Sequence, residues 1–410
     1  MTSNTDHPHT GTCTHAIVRA VLDGASEADL LADVCTRLNA IGLALVRVSI
    51  ASNLLDPTFD ARGVTWLPGE GAVDESFSRS TDPASNEVWL TSPFYALLES
   101  GRPTFRRRLD AGFVRGEFPL LDNLQDGGAT DYFALAQRVG AGIRLGDGEG
   151  MIASWSTSMP GGFRDEHLSL VRGVMPALTL ACMLHTAHRA ARTLLATYLG
   201  SDAAERVLAG NIVRGRAEPI RAVVWFSDLV GFSRISDTTD AVTVLALLNE
   251  YAEAQVEEIE EHEGHVLKFM GDGILAIFPG DDTAGACQRA LAAAARLRKR
   301  IVVLNARRAA VEAPVTDLHL ALHVGELLYG NLGSPRRLDF TVLGAAVNMA
   351  ARMEAMCGSL DQKVIVSLAF AEAAGEARSA LVSLGRYALK GIARPEELFT
   401  LDVDAVAAAS

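Results

Sequence analysis

The sequence contains little cysteine, and its cysteines are not grouped. There are five in 410 residues, at positions 13, 35, 182, 287 and 357, with no CxxC or comparable short spacing. This distribution argues against the disulfide framework of a small secreted domain and against a zinc site built from closely spaced ligands. A protein of the reducing cytoplasm fits these features best.

Long hydrophobic runs and a basic surface are also missing. The most apolar stretch, 174–184, has about eleven residues and contains Pro176, whereas a membrane-spanning helix needs about 20. The first ten residues lack the basic and apolar regions of a signal peptide. Lys and Arg number 37 against 50 Asp and Glu, and the net charge of −13 disfavours nucleic acid and anionic membranes. We therefore expect a soluble cytoplasmic protein with neither of these partners.

Length and local composition predict a modular chain. At about 150 residues per domain, 410 residues correspond to two or three domains. Residues 1–163 mix short apolar runs with many turn residues, which predicts a small α+β domain. Residues 164–216 are predicted to form a helical connection and linker, and 217–403 a second domain with regular strands and helices.

A long helix is predicted over 165–198. Small and apolar side chains recur there at the spacing of a coiled-coil seam, and Pro176 indicates a kink or a later start. Two interpretations fit the pattern equally well: a dimeric coiled coil, and a helix packed along its own domain. The seam consists of Leu170, Gly173, Ala177, Leu180, Leu184, Ala187, Ala191, Leu194 and Tyr198.

The elements after residue 217 follow the order βαββαβ. An Asp-Gly pair at 272–273 between two apolar runs indicates a hairpin. This order is the split βαβ unit of ferredoxin-like folds, so we expect an α+β fold of that type. The predicted strands are 221–227, 266–270, 274–278 and 318–324, and the predicted helices are 241–261 and 283–308.

Two aspartates lie at the ends of strands that such a sheet places side by side. Asp228 directly follows the first strand, and Asp272 lies at the hairpin tip. Carboxylates there suit Mg²⁺, and two ions about 3.5 to 4 Å apart can clamp a phosphoryl transfer. Taken singly, Asp272 is more simply a turn residue and Asp228 a helix cap. Together they suggest a cation site.

A helix predicted over 344–356 carries a second polar group. Asn348 and Arg352 are one turn apart and therefore share a face. A guanidinium matches phosphate oxygens and an amide can hold a ribose oxygen, although a surface arginine paired with a nearby acid explains the pattern equally well. Lys268 and Lys390 are weak signals by themselves. The sequence has no GxxxxGK[ST] phosphate loop.

Five motifs, in order, resemble those of the class III adenylyl/guanylyl cyclase catalytic domain. The resemblance covers about residues 217–403. It implies a palm-like βαββαβ fold, a head-to-tail homodimer, and cyclisation of a nucleoside triphosphate with release of pyrophosphate. The motifs are FSDLVGFS (226–233), LKFMGDG (267–273), LHVGELLYGNLGS (322–334), FTVLGAAVNMAARME (340–354) and LKG with Pro395 (389–395).

The resemblance implies roles for the metal-binding and catalytic residues. Asp228 and Asp272, with the backbone carbonyl of Leu229, match the ligands of two Mg²⁺ or Mn²⁺ ions in each active site. Asn348 and Arg352 match the residues that orient the ribose and stabilise the transition state.

The resemblance also indicates how the substrate is read. Lys268 and Thr341 match the purine-reading pair, and Lys390 matches a triphosphate-binding lysine. Guanine-reading relatives carry Glu at position 268, so ATP is the expected substrate. The alternatives are a guanylyl cyclase, disfavoured by Lys268, and a catalytically inactive nucleotide-binding regulatory module, disfavoured by the full set of metal, purine and transition-state residues.

Residues 1–163 resemble a GAF-type sensory domain, and 211–221 resemble the short transducer segment that precedes many class III catalytic domains. We expect the first region to regulate the cyclase through the 165–198 helix. Its aromatic residues could line a pocket for a planar small-molecule ligand, although core packing explains them better. They are Trp66, Trp89, Phe94, Tyr95, Tyr132, Phe133 and Trp155.

Overall fold

The computed structural model describes residues 9–53, 59–78, 83–140, 142, 150–392 and 394–402. The chain divides into two compact units, Met1–Leu194 and Leu195–Ser410. Each unit combines helices with one sheet, which confirms the α+β class. The finer limits expected from the sequence, 1–163, 164–216 and 217–403, stay a prediction.

The N-terminal unit is built on a six-stranded antiparallel sheet. Its strands are β1 (Leu45–Asn53), β2 (Phe59–Leu67), β3 (Gly71–Ser78), β4 (Thr104–Arg108), β5 (Asp131–Arg138) and β6 (Gly150–Thr157). Its helices are α1 (Thr10–Leu22), α2 (Glu27–Ala40), α3 (Pro83–Leu90), α4 (Pro93–Glu99), α5 (Pro119–Asp126) and α6 (Asp165–Leu199), the last of which continues past Leu194. The strand order is β3-β2-β1-β6-β5-β4. The GAF-like interpretation stays a prediction.

Strand alternation gives this sheet two different faces. Val48 and Ile50 of β1 belong to a core shared with α1, α2 and α6. Trp155 and Phe133 pack into that same core, whereas Tyr132 packs on the opposite face among side chains near α4 and α5. The aromatic residues therefore divide between two faces and do not line one common pocket.

Helix α6 continues through Pro176 without interruption. At Gly173 a Cβ atom would lie 2.7 Å from the Thr10 methyl group, so the glycine permits the close approach of α1. Seam residue Leu170 is buried, but seam residues Leu180, Leu184 and Tyr198 are exposed. Part of the seam thus packs within the N-terminal unit, and the dimeric coiled coil stays a prediction.

Helix α6 is also the one helix in the described ranges that is long and apolar enough to cross a membrane by length and composition. In its most apolar window, 56% of the residues are buried inside the structure. Burial of that kind is typical of a core helix, because a membrane span presents its apolar surface to lipid.

The C-terminal unit is built on an eight-stranded mixed sheet. Its strands are β7 (Ala217–Leu229), β8 (His265–Met270), β9 (Gly273–Pro279), β10 (Leu318–Ser334), β11 (Arg337–Leu343), β12 (Val364–Ser367), β13 (Leu381–Tyr387) and β14 (Glu396–Leu401). Its helices are α7 (Ser201–Leu208), α8 (Phe232–Thr238), α9 (Ala241–Glu261), α10 (Thr283–Ala309), α11 (Ala345–Glu354) and α12 (Leu368–Ala373). The order is β13-β14-β12-β10-β7-β9-β8, with β11 paired to β10. The segment β10-β7-β9-β8 is the expected ferredoxin-like arrangement.

Strands β7 and β10 are longer than the sequence predicts. They pair with each other over thirteen positions, and β10 then continues to pair with β11. The predicted strand ended near Gly325, since glycine usually marks a break. Here Gly325 and Gly330 allow close packing instead: a Cβ would lie 2.6 Å from the Ala346 Cβ at the first and 2.2 Å from the Arg216 carbonyl at the second.

Candidate active site

Strand β7 ends in an acidic residue on the face that α11 covers. Trp225 packs on the opposite face, among residues of α9 and α10, so alternation directs Asp228 towards α11. The strand end is fixed by buried hydrogen bonds. Ser227 Oγ accepts from Trp225 Nε1 at 3.3 Å and donates to Gln255 Oε1 at 2.6 Å. The position of Asp228 is therefore set by the core beneath it.

The hairpin tip brings the second acid to the same place. Strand β9 pairs with β7, and the Leu229 N–H donates to Asp272 Oδ2 at 3.2 Å. Gly273 makes this approach possible: a Cβ there would lie 2.4 Å from the Ser227 carbonyl oxygen and 3.1 Å from Asp228 Oδ1. The structure thus brings Asp228 and Asp272 together, as the strand adjacency predicted.

The two carboxylates form a concentration of negative charge. Burial, followed by the charge of Asp272, raises the pKa of Asp228 to about 7. Burial and Asp272 also raise the pKa of Glu354, at the end of α11. In the ranges that the structure describes, neither Asp228 nor Asp272 forms an ion pair with a basic side chain. Hard oxygen ligands with uncompensated charge fit a divalent cation.

Helix α11 presents the second group of candidates. Asn348 and Arg352 line one cavity of about 340 Å³, together with His323, Glu326 and Ile392. Burial lowers the pKa of His323 to about 4, so this imidazole is neutral at pH 7 and the positive charge of the cavity lining comes from Arg352. Asp228 and Asp272 are not among the residues that line the cavity.

Lys390 lies beside this cavity but is not part of its lining. Its side chain is exposed in the turn before Gly391. A Cβ at Gly391 would lie 3.4 Å from the Arg352 guanidinium. The turn therefore packs against Arg352, and Lys390 projects from it.

The candidate purine-reading residues lie on β8 and β11, which pair with different strands of the sheet, β9 and β10. Lys268 Nζ donates to Asp339 Oδ2 at 2.5 Å. Thr341 is two residues further along β11, on the same face, and its buried hydroxyl has no hydrogen-bond partner. Asp339 thus contacts Lys268 and shares a face of β11 with Thr341.

Two residues of these clusters escaped the sequence analysis. Asp339 holds the ammonium group of Lys268. The sequence could have indicated this residue, because Asp339 lies two positions before Thr341 and two such residues share one face of a strand. Glu354 follows Arg352 by two positions and adds charge near the aspartate pair, while its Oε1 lies 3.7 Å from His319 Nδ1. No sequence pattern distinguishes Glu354 from an ordinary acid at a helix end.

Solved structures of nucleotidyl cyclases are similar to part of this chain. The adenylyl cyclase CyaB from P. aeruginosa is 22% identical, with 45% of this chain and 95% of that chain covered and a TM-score of 0.42. A bacterial light-regulated adenylyl cyclase is 23% identical, with 56% and 65% covered and a TM-score of 0.48. The guanylyl cyclase Cya2 is 25% identical, with 45% and 93% covered and a TM-score of 0.41.

Curated relatives and a family model match the C-terminal unit. An uncharacterised protein of Mycobacterium tuberculosis (strain CDC 1551 / Oshkosh) is 34% identical over 182 residues, which are 44% of this chain and 31% of the relative. Another, from strain ATCC 25618 / H37Rv, is 32% identical over 209 residues, 50% of this chain and 37% of the relative. The chain thus spans about a third of the length of these relatives. Residues 217–402 match the adenylate and guanylate cyclase catalytic domain model, and this part of the chain belongs to that family.

Proposed function

We propose that the chain is an adenylyl cyclase that converts ATP to 3′,5′-cyclic AMP and pyrophosphate in a cytoplasmic homodimer. The observation that carries the proposal is the meeting of Asp228 and Asp272, without a basic partner in the described ranges, on a cyclase catalytic domain. A pair of repelling carboxylates destabilises the fold unless it binds something positive. A catalytic role accounts for its presence.

The aspartate pair fits two divalent cations, Mg²⁺ or Mn²⁺. Asp228, Asp272 and the backbone carbonyl of Leu229 would hold them. When bound, such ions supply charge neutralisation for the phosphates and make the ribose 3′-hydroxyl more acidic. The protein's own contribution is to hold the ligands rigidly. The buried hydrogen bonds of Ser227 fix the end of β7, and the absence of a side chain at Gly273 lets the hairpin approach that strand end.

Helix α11 orients the substrate. In the proposed complex Arg352 donates to phosphate oxygens and Asn348 donates to a ribose oxygen, so that the 3′-hydroxyl oxygen faces the α-phosphorus. Arg352 also stabilises the charge that develops on the phosphoryl oxygens during the attack. Lys390 adds a second positive charge near the leaving pyrophosphate.

Adenine is favoured by one donor and one acceptor at the purine position. Lys268 donates to a ring nitrogen, and Asp339 holds the ammonium group in place for it. The buried hydroxyl of Thr341 has a free hydrogen-bonding capacity that an exocyclic amino group would satisfy. These features support ATP over GTP.

Exposed apolar side chains surround the purine-reading residues and support pairing with a second copy. They stand on β8, β10 and β11, where a solvated sheet surface would carry polar residues. The exposed residues are Phe269, Leu328, Leu332, Leu338 and Leu343.

We propose a head-to-tail dimer in which each active site is shared between subunits. One subunit supplies Asp228 and Asp272, and the other supplies α11 and the purine-reading residues. Asp228 and Asp272 do not contribute to the lining of the α11 cavity in a single chain, and this supports the arrangement. Two-fold symmetry then gives two equivalent sites per dimer.

The linker before β7 supports regulation by the N-terminal unit. Tyr329 Oη donates to Asp202 Oδ2 at 2.8 Å, and Asn331 Nδ2 donates to the Asn211 carbonyl at 2.7 Å. These two β10 residues pair with Val342 and Phe340, on either side of Thr341. A displacement of the linker would therefore reach the purine-reading strand directly. We propose that α6 delivers such displacements.

Product analysis tests the proposal. The purified full chain is incubated with ATP or GTP and with Mg²⁺ or Mn²⁺, and products are separated by chromatography, with Asp272→Asn as the control for contaminating cyclases. Cyclic AMP from ATP is expected. Cyclic GMP from GTP as the main product would support a guanylyl cyclase. Nucleotide binding without turnover under any of these conditions would support an inactive regulatory module.

A further inference from the structure

The N-terminal sheet carries polar side chains in register across its central strands. Arg47 of β1 is paired with Ser156 of β6, which is paired with Tyr132 of β5. These three side chains form one row, on the face opposite the α1, α2 and α6 core. The next row along the same face contains Ser154 and Ser49.

The hydroxyl groups of this cluster are buried and unsatisfied. Tyr132, Ser154 and Ser156 are at most 1% exposed, and apart from the interaction between Tyr132 and Ser154 their hydroxyls have no hydrogen-bond partner. Ser49 differs, because its hydroxyl lies 3.0 Å from that of Thr65. Burying a hydroxyl without a partner is costly, so three such groups side by side indicate that a partner binds there.

Arg47 adds an uncompensated charge to the same row. It is half-buried, and within the described part of the chain it makes neither an ion pair nor a hydrogen bond. Burial lowers its pKa. The arginines of β4 differ: Arg106 binds Asp131 at 2.7 Å and Arg107 binds Glu117 at 2.5 Å. Arg47 thus lacks the acidic partner that its neighbours have.

The surroundings of the row consist of small and apolar side chains and offer little competing charge. Ala134 stands beside Ser154, and Ala51 stands beside Gly63 at neighbouring positions of this face. The ring of Phe105 packs edge-on against Tyr132 at 6.1 Å between centroids. The charge of Glu75, an exposed residue of β3, acts on Arg47 through space.

We propose that this face of the N-terminal sheet binds a small organic carboxylate. Its oxygens accept hydrogen bonds from the Arg47 guanidinium and from the hydroxyls of Ser156 and Tyr132, while its organic part lies over the small residues beside Phe105. One positive charge and several neutral donors match a monoanion better than a phosphate dianion, which would keep a surplus negative charge beside Glu75. The site is independent of the proposed cyclase activity.

Calorimetric titration of the full chain in chloride buffer tests the site. Benzoate is the probe, benzamide is its uncharged analogue, and acetate and inorganic phosphate are the smaller anions. We expect benzoate to bind at least about tenfold more tightly than benzamide, and Arg47→Met to lose at least about tenfold in affinity. Ser156→Ala should lose less, and Arg19→Met, which removes an exposed arginine, should bind as the parent does.

Each other outcome of the titration contradicts the proposal. Absence of binding of both carboxylates would refute the site. Equal binding by the parent and Arg47→Met would refute the assigned residues. Stronger binding of phosphate than of benzoate would refute the ligand class.

Thermal unfolding without added ligand gives a second test. Arg47→Met removes an unpaired, half-buried charge, so its melting temperature should exceed that of the parent by a few degrees, while Arg19→Met should leave it unchanged. A lower melting temperature for Arg47→Met would show that the arginine stabilises the fold, and the proposal would then be wrong.

Discussion

The two units of this chain concentrate buried charge of opposite sign. In the C-terminal unit, Asp228 and Asp272 repel each other at the meeting of β7 and the β8-β9 hairpin. In the N-terminal unit, Arg47 stands among unsatisfied hydroxyls without an acid beside it. Many other charges in both units are paired, for example Asp131 with Arg106 and Asp339 with Lys268.

Each unit thus contains one charged cluster that lowers its stability. The sign of the charge in each cluster indicates the charge of the ligand that it would bind. Groups that destabilise a fold persist where function needs them. In the two proposals, the acidic pair binds cations and the arginine cluster binds an anion. The following predictions test whether the two clusters act as binding sites and whether they communicate.

The largest effect is expected from Asp272→Asn. Turnover should fall by more than about a hundredfold, because the amide cannot provide the charge that holds the cations. In metal-free buffer above pH 7, the same variant should melt at a higher temperature than the parent, since the repulsion with Asp228 is removed. Asp281→Asn, at an exposed position, is the control for both measurements. Near-normal turnover in a folded Asp272→Asn protein would refute the cation site.

Mixing two inactive variants should restore activity. Asp272→Asn and Asn348→Ala lie in different halves of the proposed shared site. In random exchange half of the dimers are mixed and each has one intact site, so about a quarter of normal activity should return. Subunit exchange is verified separately by fluorescence energy transfer between labelled chains. If exchange occurs and activity does not return, the shared site is wrong.

The base preference should shift when the purine-reading pair is changed. Lys268→Glu with Thr341→Cys replaces donors by an acceptor, so the ratio of GTP to ATP turnover should rise by about tenfold or more. Asp339→Asn is added in a companion variant, because the new carboxylate would otherwise face Asp339. Turnover is compared at matched substrate concentrations. An unchanged ATP preference in both variants would assign base recognition to other residues.

Communication between the units should depend on the rotation of α6. Two residues inserted after Ala187 rotate the following part of the helix by about 200°, and should change turnover several-fold. Seven inserted residues restore the seam and should change turnover much less. Dimerisation is measured for both variants by light scattering. Equal turnover in both variants and the parent would leave the N-terminal unit without control of the cyclase.

The smallest effect is expected at the linker contact. Tyr329→Phe removes the hydrogen bond to Asp202, worth about 0.5 to 1.5 kcal/mol, so basal turnover should change by less than about tenfold. The change should disappear in a chain that already carries the two-residue insertion. Tyr387→Phe removes a comparable hydrogen bond to the Leu384 carbonyl, away from the linker, and serves as the control. Additive effects of Tyr329→Phe and the insertion would contradict the proposed route.

Much of the cyclase fold could be predicted, since its signals are local. The Asp-Gly pair marked the hairpin, and the βαββαβ order then placed Asp228 next to Asp272. The full length of β10 was not predicted, because Gly325 and Gly330 looked like breaks and their packing partners are distant in sequence. Asp339 was missed for the same reason: its partner Lys268 lies 71 residues away.

The Arg47 cluster could not be predicted from the sequence at all. Its members come from three strands, and only the register of β1, β6 and β5 places Arg47, Ser156 and Tyr132 in one row. Serine and arginine on a strand normally indicate a solvated face. That these serine and arginine side chains are buried becomes evident only in the folded unit.

The pairing of β7 with β10 has a consequence for the time scales of the catalytic unit. Its thirteen paired positions lie at the centre of the sheet, with β9 and β12 on either side. Backbone amides there should exchange with solvent only when the whole unit opens. Thr341, which we propose reads the purine, stands instead on β11, a seven-pair ribbon with exposed side chains, where brief local opening is easier. In the proposed complex, the phosphates of the substrate would lie against a slowly exchanging support and its base against a rapidly exchanging one.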